Sequence, residues 1–196
     1  GGLVAANNLL EKPLNRKDII KMAFEMEGHS DNVLAALSGG FIISVDNNKE
    51  PIYKKIELVD KFKIVVVIPD FELKTSDSRQ VLPKSISYQD AIFNLSRASL
   101  LVISLIENDF DNIKIAMEDK LHQNYRARSI PGFNEVIKKA YKYGAGGVAL
   151  SGAGPSIIAF VKNSKNLNNE NLIGKVMVET FKKYDIKSRY IITDVD

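Results

Sequence analysis

The sequence contains no cysteine, no long uninterrupted hydrophobic run and no strong excess of charge of one sign. Without cysteine the chain forms neither a disulfide framework nor a thiolate metal site, which favours a reducing cytoplasm. The longest apolar run, within "KFKIVVVIPD" (Lys61–Asp70), is too short to span a bilayer, so we expect no membrane partner. The 27 basic and 24 acidic residues are nearly balanced and spread along the chain, so we expect no nucleic-acid partner.

With 196 residues, 45% of them hydrophobic, the chain can bury the core of one large or two small domains. From residue 59 onward the apolar patterns predict the order β-α-α-α-β-β-α-β, which is an α+β sandwich with helices on one face of an antiparallel sheet. Residues 1–58 read as part of another unit. Asn15 and Ser87 are predicted N-caps, and "FDNIKIAMEDKLHQNY" (Phe110–Tyr125) is predicted as one helix.

The stretch "EMEGHSDN" (Glu25–Asn32) concentrates carboxylates, an imidazole and an amide at a predicted junction between two helices. Oxygen ligands of this kind, completed by phosphate oxygens, suit Mg²⁺. The alternative is a solvent-exposed Glu27, an Asp31 that caps the next helix and a His29 that bonds locally. The residues by themselves leave both interpretations open.

Two further stretches carry arginines. In "KTSDSRQVLP" (Lys74–Pro83), Thr75 and Arg79 would face the same side of a helical turn and could bind a carboxylate or phosphate. The stretch "LHQNYRARSIPGF" (Leu121–Phe133) adds Arg126. Both stretches could instead be ordinary surface structure, a helix cap in the first case and a solvated turn in the second.

The fourth stretch, "GVALSGAGPSIIAF" (Gly147–Phe160), places glycines between two predicted strands, where side chains would normally pack. Its bare N–H groups could hold an anion, or the segment could be a glycine-rich hairpin. It lacks the lysine of a Walker A loop and precedes a strand, so it is neither a P-loop nor a dinucleotide-binding fingerprint. Together the four stretches indicate a site for an anionic small molecule and a metal-bound phosphate.

Taken in order, these stretches resemble segments of bacterial homoserine kinases, which belong to the galactose, homoserine, mevalonate and phosphomevalonate (GHMP) kinase superfamily. "EGHSDNVLAALSGGF" resembles their "EGHPDN…GG" segment, "KTSDSRQVLP" their "sT…AR…LP" segment and "LHQNYRARSIPGF" their "LHEPYRAPLIPGF" segment. "GVALSGAGPS" resembles the third signature motif of the superfamily. The resemblance extends from Gly1 to Phe160, with departures at Ser30 and Arg128, where the family often has proline.

The resemblance implies a GHMP kinase-like fold, with a ferredoxin-like C-terminal domain over 59–196 and a remnant of the N-terminal, ATP-binding domain over 1–58. It further implies ATP-dependent phosphorylation of the L-homoserine hydroxyl, with Mg²⁺ as cofactor. Glu27, or alternatively Glu25, would be the magnesium ligand, and Asn32 and Asp31 would be the catalytic residues. A carboxamide such as that of Asn32 cannot deprotonate a hydroxyl, so the proton would pass to the phosphate or to another acceptor.

The same resemblance implies a set of substrate-binding residues spread along the chain. These are, in chain order, His29, Thr75, Arg79, Arg126, Ser151, Gly152 and Gly154.

Part of the family's pattern does not occur in these residues. The Gly/Ser-rich "P…GLGSSAA" loop of the family would precede Gly1, so we expect the 196 residues alone to be inactive. Two other functions remain open: another GHMP-type small-molecule kinase, or a non-catalytic ligand-binding or dimerisation module. A homodimer is also expected, because the long apolar helix and the strand edges offer surfaces for it.

Overall fold

The computed structural model describes residues 1–47, 50–58, 62–163 and 169–195, without the side chains of 75–77. The chain divides into two compact units, the first formed by Gly1–Val59 with Val195–Asp196 and the second by Asp60–Asp194. The division lies close to the boundary expected from the sequence. The assignment of the first unit to an ATP-binding domain stays a prediction.

Unit 1 contains three helices and a two-stranded hairpin. Their bounds are α1 (Gly2–Leu9), α2 (Arg16–Glu27), α3 (Asp31–Ser38), β1 (Phe41–Val45) and β2 (Ile52–Ile56). The Asn15 side chain accepts the N–H groups of Lys17 and Asp18, while the Asp18 carboxylate accepts the N–H of Asn15. This reciprocal arrangement is a capping box, which confirms Asn15 as the predicted N-cap of α2.

The junction between α2 and α3 is a tight turn. Helix α2 ends at Gly28, whose φ of 80° is readily available only to glycine. Ser30 stands at the N-cap of α3 but makes no capping bond with its side chain; its buried hydroxyl bonds to the side chains of Ser44 and Asp46 instead. The turn that carries His29 is therefore attached to the end of β1.

Unit 2 is an α+β domain, as the sequence predicts. In chain order its elements are β3 (Phe62–Pro69), α4 (Thr75–Gln80), α5 (Tyr88–Glu107), α6 (Phe110–Ala116), α7 (Gln123–Arg126), α8 (Phe133–Lys142), β4 (Gly147–Leu150), β5 (Ile157–Lys162), α9 (Asn169–Lys182) and β6 (Ser188–Thr193). The four strands form one antiparallel sheet in the order β4-β5-β3-β6. A polar loop was predicted to precede the last helix, and its residues 164–168 lie outside the described part of the chain.

The core of unit 2 lies on the sheet face that α8 and α9 cover, where side chains from β3 such as Val65 and Val67 are fully buried. Helix α6 packs on the opposite face. There the Phe62 ring stacks on Phe110 with centroids 6.1 Å apart, and a side chain at Gly147 would meet Ile113 and Met117. The expectation that helices cover only one face was therefore wrong.

Helix α5 is the longest described helix. It begins at Ser87, whose hydroxyl accepts the N–H of Asp90 as predicted. Several apolar side chains on it are exposed, Leu95 by 70% and Tyr88 by 82%. By length and composition alone α5 could cross a membrane, the one described helix for which this is so, but helices of soluble proteins meet the same criterion.

The predicted helix over Phe110–Tyr125 is wrong. The chain forms α6, leaves the helix after Ala116, and resumes as the single turn α7 at Gln123. The Asp119 side chain caps the start of the second helical segment, because it accepts the N–H groups of His122 and Gln123 at 2.8 and 2.6 Å. An aspartate that caps the backbone in this way offers the chain an alternative to continued helix.

Candidate active site

In unit 1, Glu27 and Asn32 line the same cleft. This cleft of about 380 Å³ lies among helices α1, α2 and α3, and its walls include Gly1, Gly2 and Val33. Two of the residues expected to act in catalysis and metal binding are therefore brought together. Glu25 is exposed and lies about 200° around α2 from Glu27, so it points to a different side of the helix.

His29 lies between the carboxylates of Glu27 and Asp31. Its Nδ1 is 2.6 Å from Asp31 Oδ1, and its Nε2 is 3.7 Å from Glu27 Oε1. Burial alone would raise the pKa of Asp31, but hydrogen bonds from the Asn32 N–H and from His29 hold that pKa below its ordinary value. Asp31 is thus an ionised hydrogen-bond acceptor and a weak base.

The donor set fits a magnesium ion only if the nucleotide supplies most of the ligands. In the described ranges no three His, Asp or Glu side chains converge on one point. Asp31 accepts two hydrogen bonds on its Oδ1 and does not line the cleft, whereas the 53% exposed Glu27 side chain lines it. A single protein carboxylate together with phosphate oxygens and water is a usual environment for Mg²⁺.

In unit 2, Arg126 connects three of the stretches singled out in the sequence. Its Nη1 donates to the Gly152 carbonyl at 3.0 Å, and its Nε donates to the Ser78 carbonyl at 3.3 Å. The hydroxyl of Ser78, a buried residue of α4, donates to the Ala153 carbonyl at 3.2 Å. Helix α4, helix α7 and the glycine turn between β4 and β5 therefore meet around one guanidinium.

The glycine turn is a hairpin connection with open backbone. Ser151 and Gly154 use their N–H groups within it, donating to the carbonyls of Ser156 and Ser151. The N–H groups of Gly152 and Ala153 make no bond to any residue that the structure describes. Gly152 has a φ of 59° and nothing within 4 Å of the position that a side chain would take. The stretch is therefore a hairpin, as one interpretation predicts, and the binding of an anion by its N–H groups stays a prediction.

The other predicted binding residues of unit 2 differ in environment. Arg79 lies in the last turn of α4 with an exposed side chain, which has no hydrogen bond or ion pair to a described residue. Thr75 begins α4, but its side chain lies outside the described part of the structure. Gly154 has a φ of 84°, and a side chain at this position would lie 3.2 Å from Ile130 and Leu150, so the turn favours glycine here.

Sequence reasoning missed His122, which stands directly before α7. Its Nδ1 is buried without a hydrogen-bond partner among the described residues, and its Nε2 is 3.6 Å from Asp119 Oδ1. Burial lowers the pKa of His122, and the Arg126 charge lowers it further against the opposing effect of Asp119. A lone histidine in a polar stretch carries no sequence signal for this environment.

The lowered pKa of His122 predicts that acid destabilises the fold. Above about pH 6.5 the imidazole is neutral in both states, whereas below it the unfolded chain binds a proton that the folded protein takes up less readily. The melting temperature should therefore fall between about pH 7.5 and 5.5, and His122→Gln should reduce that fall. His29→Gln controls for the introduced glutamine, and an unchanged slope in His122→Gln would contradict the prediction.

Comparison with known proteins gives evidence on the family that does not depend on the geometry of the site. Residues 101–171 match the family model described as GHMP kinases C terminal. The homoserine kinase of Halothermothrix orenii is 46% identical over all 196 residues, which correspond to 61% of its own length. That of Carboxydothermus hydrogenoformans is 42% identical over 98% of this chain and 61% of its own.

Solved structures give the same picture. A homoserine kinase from Cytophaga hutchinsonii superposes with a TM-score of 0.90 at 32% identity, over 99% of this chain and 62% of that one. The mevalonate kinase of L. major shares the fold, with a TM-score of 0.65 at 19% identity over 98% of this chain and 62% of that one.

Residues 101–171 thus contain the C-terminal domain of GHMP kinases. The relatives that match the chain over nearly all of its residues are homoserine kinases, and the chain spans about three fifths of their length.

Proposed function

We propose that the protein containing this chain transfers the γ-phosphoryl group of ATP to the side-chain hydroxyl of L-homoserine. The observation that carries the proposal is the meeting of α4, α7 and the glycine turn around Arg126, with unpaired backbone N–H groups beside it. The 46% identity to a homoserine kinase over the whole chain supports it.

The two arginines suit a substrate that bears a carboxylate. Arg126 uses its Nε and Nη1 on main-chain carbonyls, and its other N–H groups remain available. The Arg79 guanidinium has no partner among the residues that the structure describes. A guanidinium binds a carboxylate through paired hydrogen bonds, so either residue could fix the orientation of an amino acid. Thr75 and His29 are each proposed as substrate-binding residues, as the resemblance implies.

Phosphoryl transfer at this site would not depend on a strong base. Asn32 carries a carboxamide, and the lowered pKa of Asp31 makes its carboxylate a weak proton acceptor. A loose transition state requires alignment and charge neutralisation more than deprotonation in advance. We therefore propose that the hydroxyl proton passes to the transferred phosphate.

Glu27 is the proposed protein ligand for Mg²⁺, with nucleotide phosphates and water as the other ligands. The ion would neutralise phosphate charge. Support comes from the exposed Glu27 carboxylate in the cleft that Asn32 also lines.

Two alternative functions remain. Another GHMP-type kinase with a different small alcohol would share the fold, as the mevalonate kinase does. A non-catalytic ligand-binding or dimerisation module would retain the structure without turnover.

A substrate panel tests the proposal. Purified full-length protein with ATP and Mg²⁺ should phosphorylate L-homoserine with a kcat/KM at least about a hundredfold above that for galactose, because galactose lacks a carboxylate and a site built to bind one leaves cations unpaired without it. Two measurements report turnover: the release of ADP, and detection of the phosphorylated product by mass spectrometry. A preference for another alcohol would indicate the first alternative, and no turnover the second.

We further propose that the protein acts in the cytoplasm and forms a homodimer. The absence of cysteine supports the first point. The exposed apolar side chains of α5, among them Leu95 and Tyr88, support the second.

A further inference from the structure

The loop between α6 and α7 is organised by Asp119, whose side chain is only 9% exposed. Its Oδ2 accepts the N–H groups of His122 and Gln123, and its Oδ1 accepts the Nδ2 of Asn94 on α5 at 2.7 Å. Burial by itself would raise the pKa of Asp119, but these donors hold that pKa below its ordinary value. A buried carboxylate is stable here because donors surround it.

Asn94 fixes the loop from the other side. While its Nδ2 donates to Asp119, its Oδ1 accepts the N–H of Lys120 at 2.9 Å. The Asn94 amide thus bonds through its NH₂ group and through its oxygen to two adjacent residues of the loop. The longest described helix of unit 2 therefore sets the position of Asp119.

Helix α7 transmits that position to the glycine turn. Gln123 donates its N–H to Asp119 and accepts the Leu150 N–H on its Oε1 at 2.8 Å. Three residues later, Arg126 donates to the Gly152 carbonyl. A helix of four residues cannot form on its own, because nucleation is unfavourable, so α7 depends on its cap.

We propose that Asp119, held by Asn94, is a positioning residue that orients α7 and thereby aims Arg126 at the substrate carboxylate. The role in catalysis rests on the proposed function above. The orientation of α7 rests only on the hydrogen bonds just described. Asp119 does not contact substrate and acts through Gln123 and Arg126.

The polarity of the Asp119–Asn94 pair supplies the test. In Asp119→Asn, an amide that keeps its oxygen on the N–H groups of α7 would point its NH₂ at the NH₂ of Asn94. Adding Asn94→Asp reverses the pair and restores an acceptor opposite that donor, while its second oxygen can still accept the Lys120 N–H. The double variant should therefore recover what the single variant loses.

The matched control is Asp109→Asn. Asp109 is also a capping aspartate, accepting the Asn112 N–H at the start of α6, but it makes no hydrogen bond to α7. Asp109→Asn should therefore lower the stability of the protein without changing the orientation of α7.

In the full-length protein, Asp119→Asn should raise the KM for homoserine about tenfold, the loss expected for a hydrogen bond to a charged group, with little change in the KM for ATP. Asp119→Asn/Asn94→Asp should restore most of the affinity, and Asp109→Asn should leave both constants near wild type. A fall in melting temperature without a change in the KM for homoserine, or no rescue by the double variant, would overturn the proposal.

Amide hydrogen exchange gives a readout that does not depend on turnover. In Asp119→Asn the N–H of Leu150, which bonds to Gln123, should exchange faster. The N–H of Val148 lies in the same strand but bonds to the Tyr141 hydroxyl, so its exchange should not change. Equal acceleration at both amides would indicate general destabilisation and overturn the positioning role. If wild-type protein does not phosphorylate homoserine, the proposed function fails, yet this comparison still decides whether Asp119 positions α7.

Discussion

Arg126→Met in the full-length protein should raise the KM for homoserine by about tenfold to a hundredfold, because a charge-assisted contact to the substrate carboxylate is lost. The melting temperature should fall as well, since the guanidinium also donates to the carbonyls of Ser78 and Gly152. The KM for ATP should change by less than about threefold. Steady-state kinetics with each substrate varied in turn, together with thermal denaturation, measures all three quantities.

Two further variants separate the roles of this side chain. Arg79→Met should raise the KM for homoserine without lowering the melting temperature, because Arg79 has no described partner in the fold. Arg126→Lys keeps the charge but cannot donate to both carbonyls and the substrate at once, so it should recover only part of the affinity. If Arg126→Met raised the KM values for homoserine and ATP equally, the assignment of Arg126 to the amino-acid pocket would be wrong.

Gly147→Val should destabilise unit 2 by about 2–3 kcal/mol, the cost typical of overpacking a filled core. Strand propensity alone predicts the opposite sign, because valine favours β-structure and glycine weakens it. At this position, however, a Cβ would lie 2.5 Å from Ile113 Cγ2 and in contact with Met117 Sδ. The side chains of α6 thus occupy the space that a larger residue would need.

The matched control for Gly147→Val is Ala149→Val, two residues along the same strand and on the same sheet face. It should change stability by less than about 1 kcal/mol, within the range of strand propensity. Urea denaturation of both variants gives the difference in free energy of unfolding. Equal stabilities would show that α6 can move away from β4 at little cost.

Local patterns predicted most of the helices and strands because the signals lie within a few residues of each other. The cap of α2 is an example, since Asn15 and Asp18 are three positions apart and bond reciprocally. Strand β2 was missed: its lysines, Lys54 and Lys55, interrupt the alternation of apolar and polar residues. Half-exposed strands in a two-stranded hairpin give a weak signal.

The break between α6 and α7 could not be seen locally. Ile113, Met117 and Leu121 recur at intervals of four and continue the helical pattern straight through the loop. The loop is held instead by the side chain of Asp119, which accepts a hydrogen bond from Asn94, 25 residues away. A long-range hydrogen bond of this kind lies outside any sequence window.

In the candidate site, too, the sequence predicts residue types but not the environment of each residue. The residue type and approximate place of Arg126 follow from its motif, but its two bonds to main-chain carbonyls do not. Arg126 bonds to two carbonyls whereas Arg79 has no described partner, and this difference likewise depends on how α4 and α7 approach the glycine turn. Motifs therefore identified which residues to examine, and packing determines how each can act.

The pairing of β3 with β6 gives unit 2 a particular order of assembly. Strand β3 begins the unit and β6 ends it, and the Lys63–Asp194 ion pair at 2.7 Å joins residues 131 positions apart. On the ribosome, β3 would emerge long before the strand that covers its edge, and an uncovered edge strand readily pairs with other chains. Completion of this sheet, and with it protection from aggregation, must therefore await synthesis of the residues that form β6.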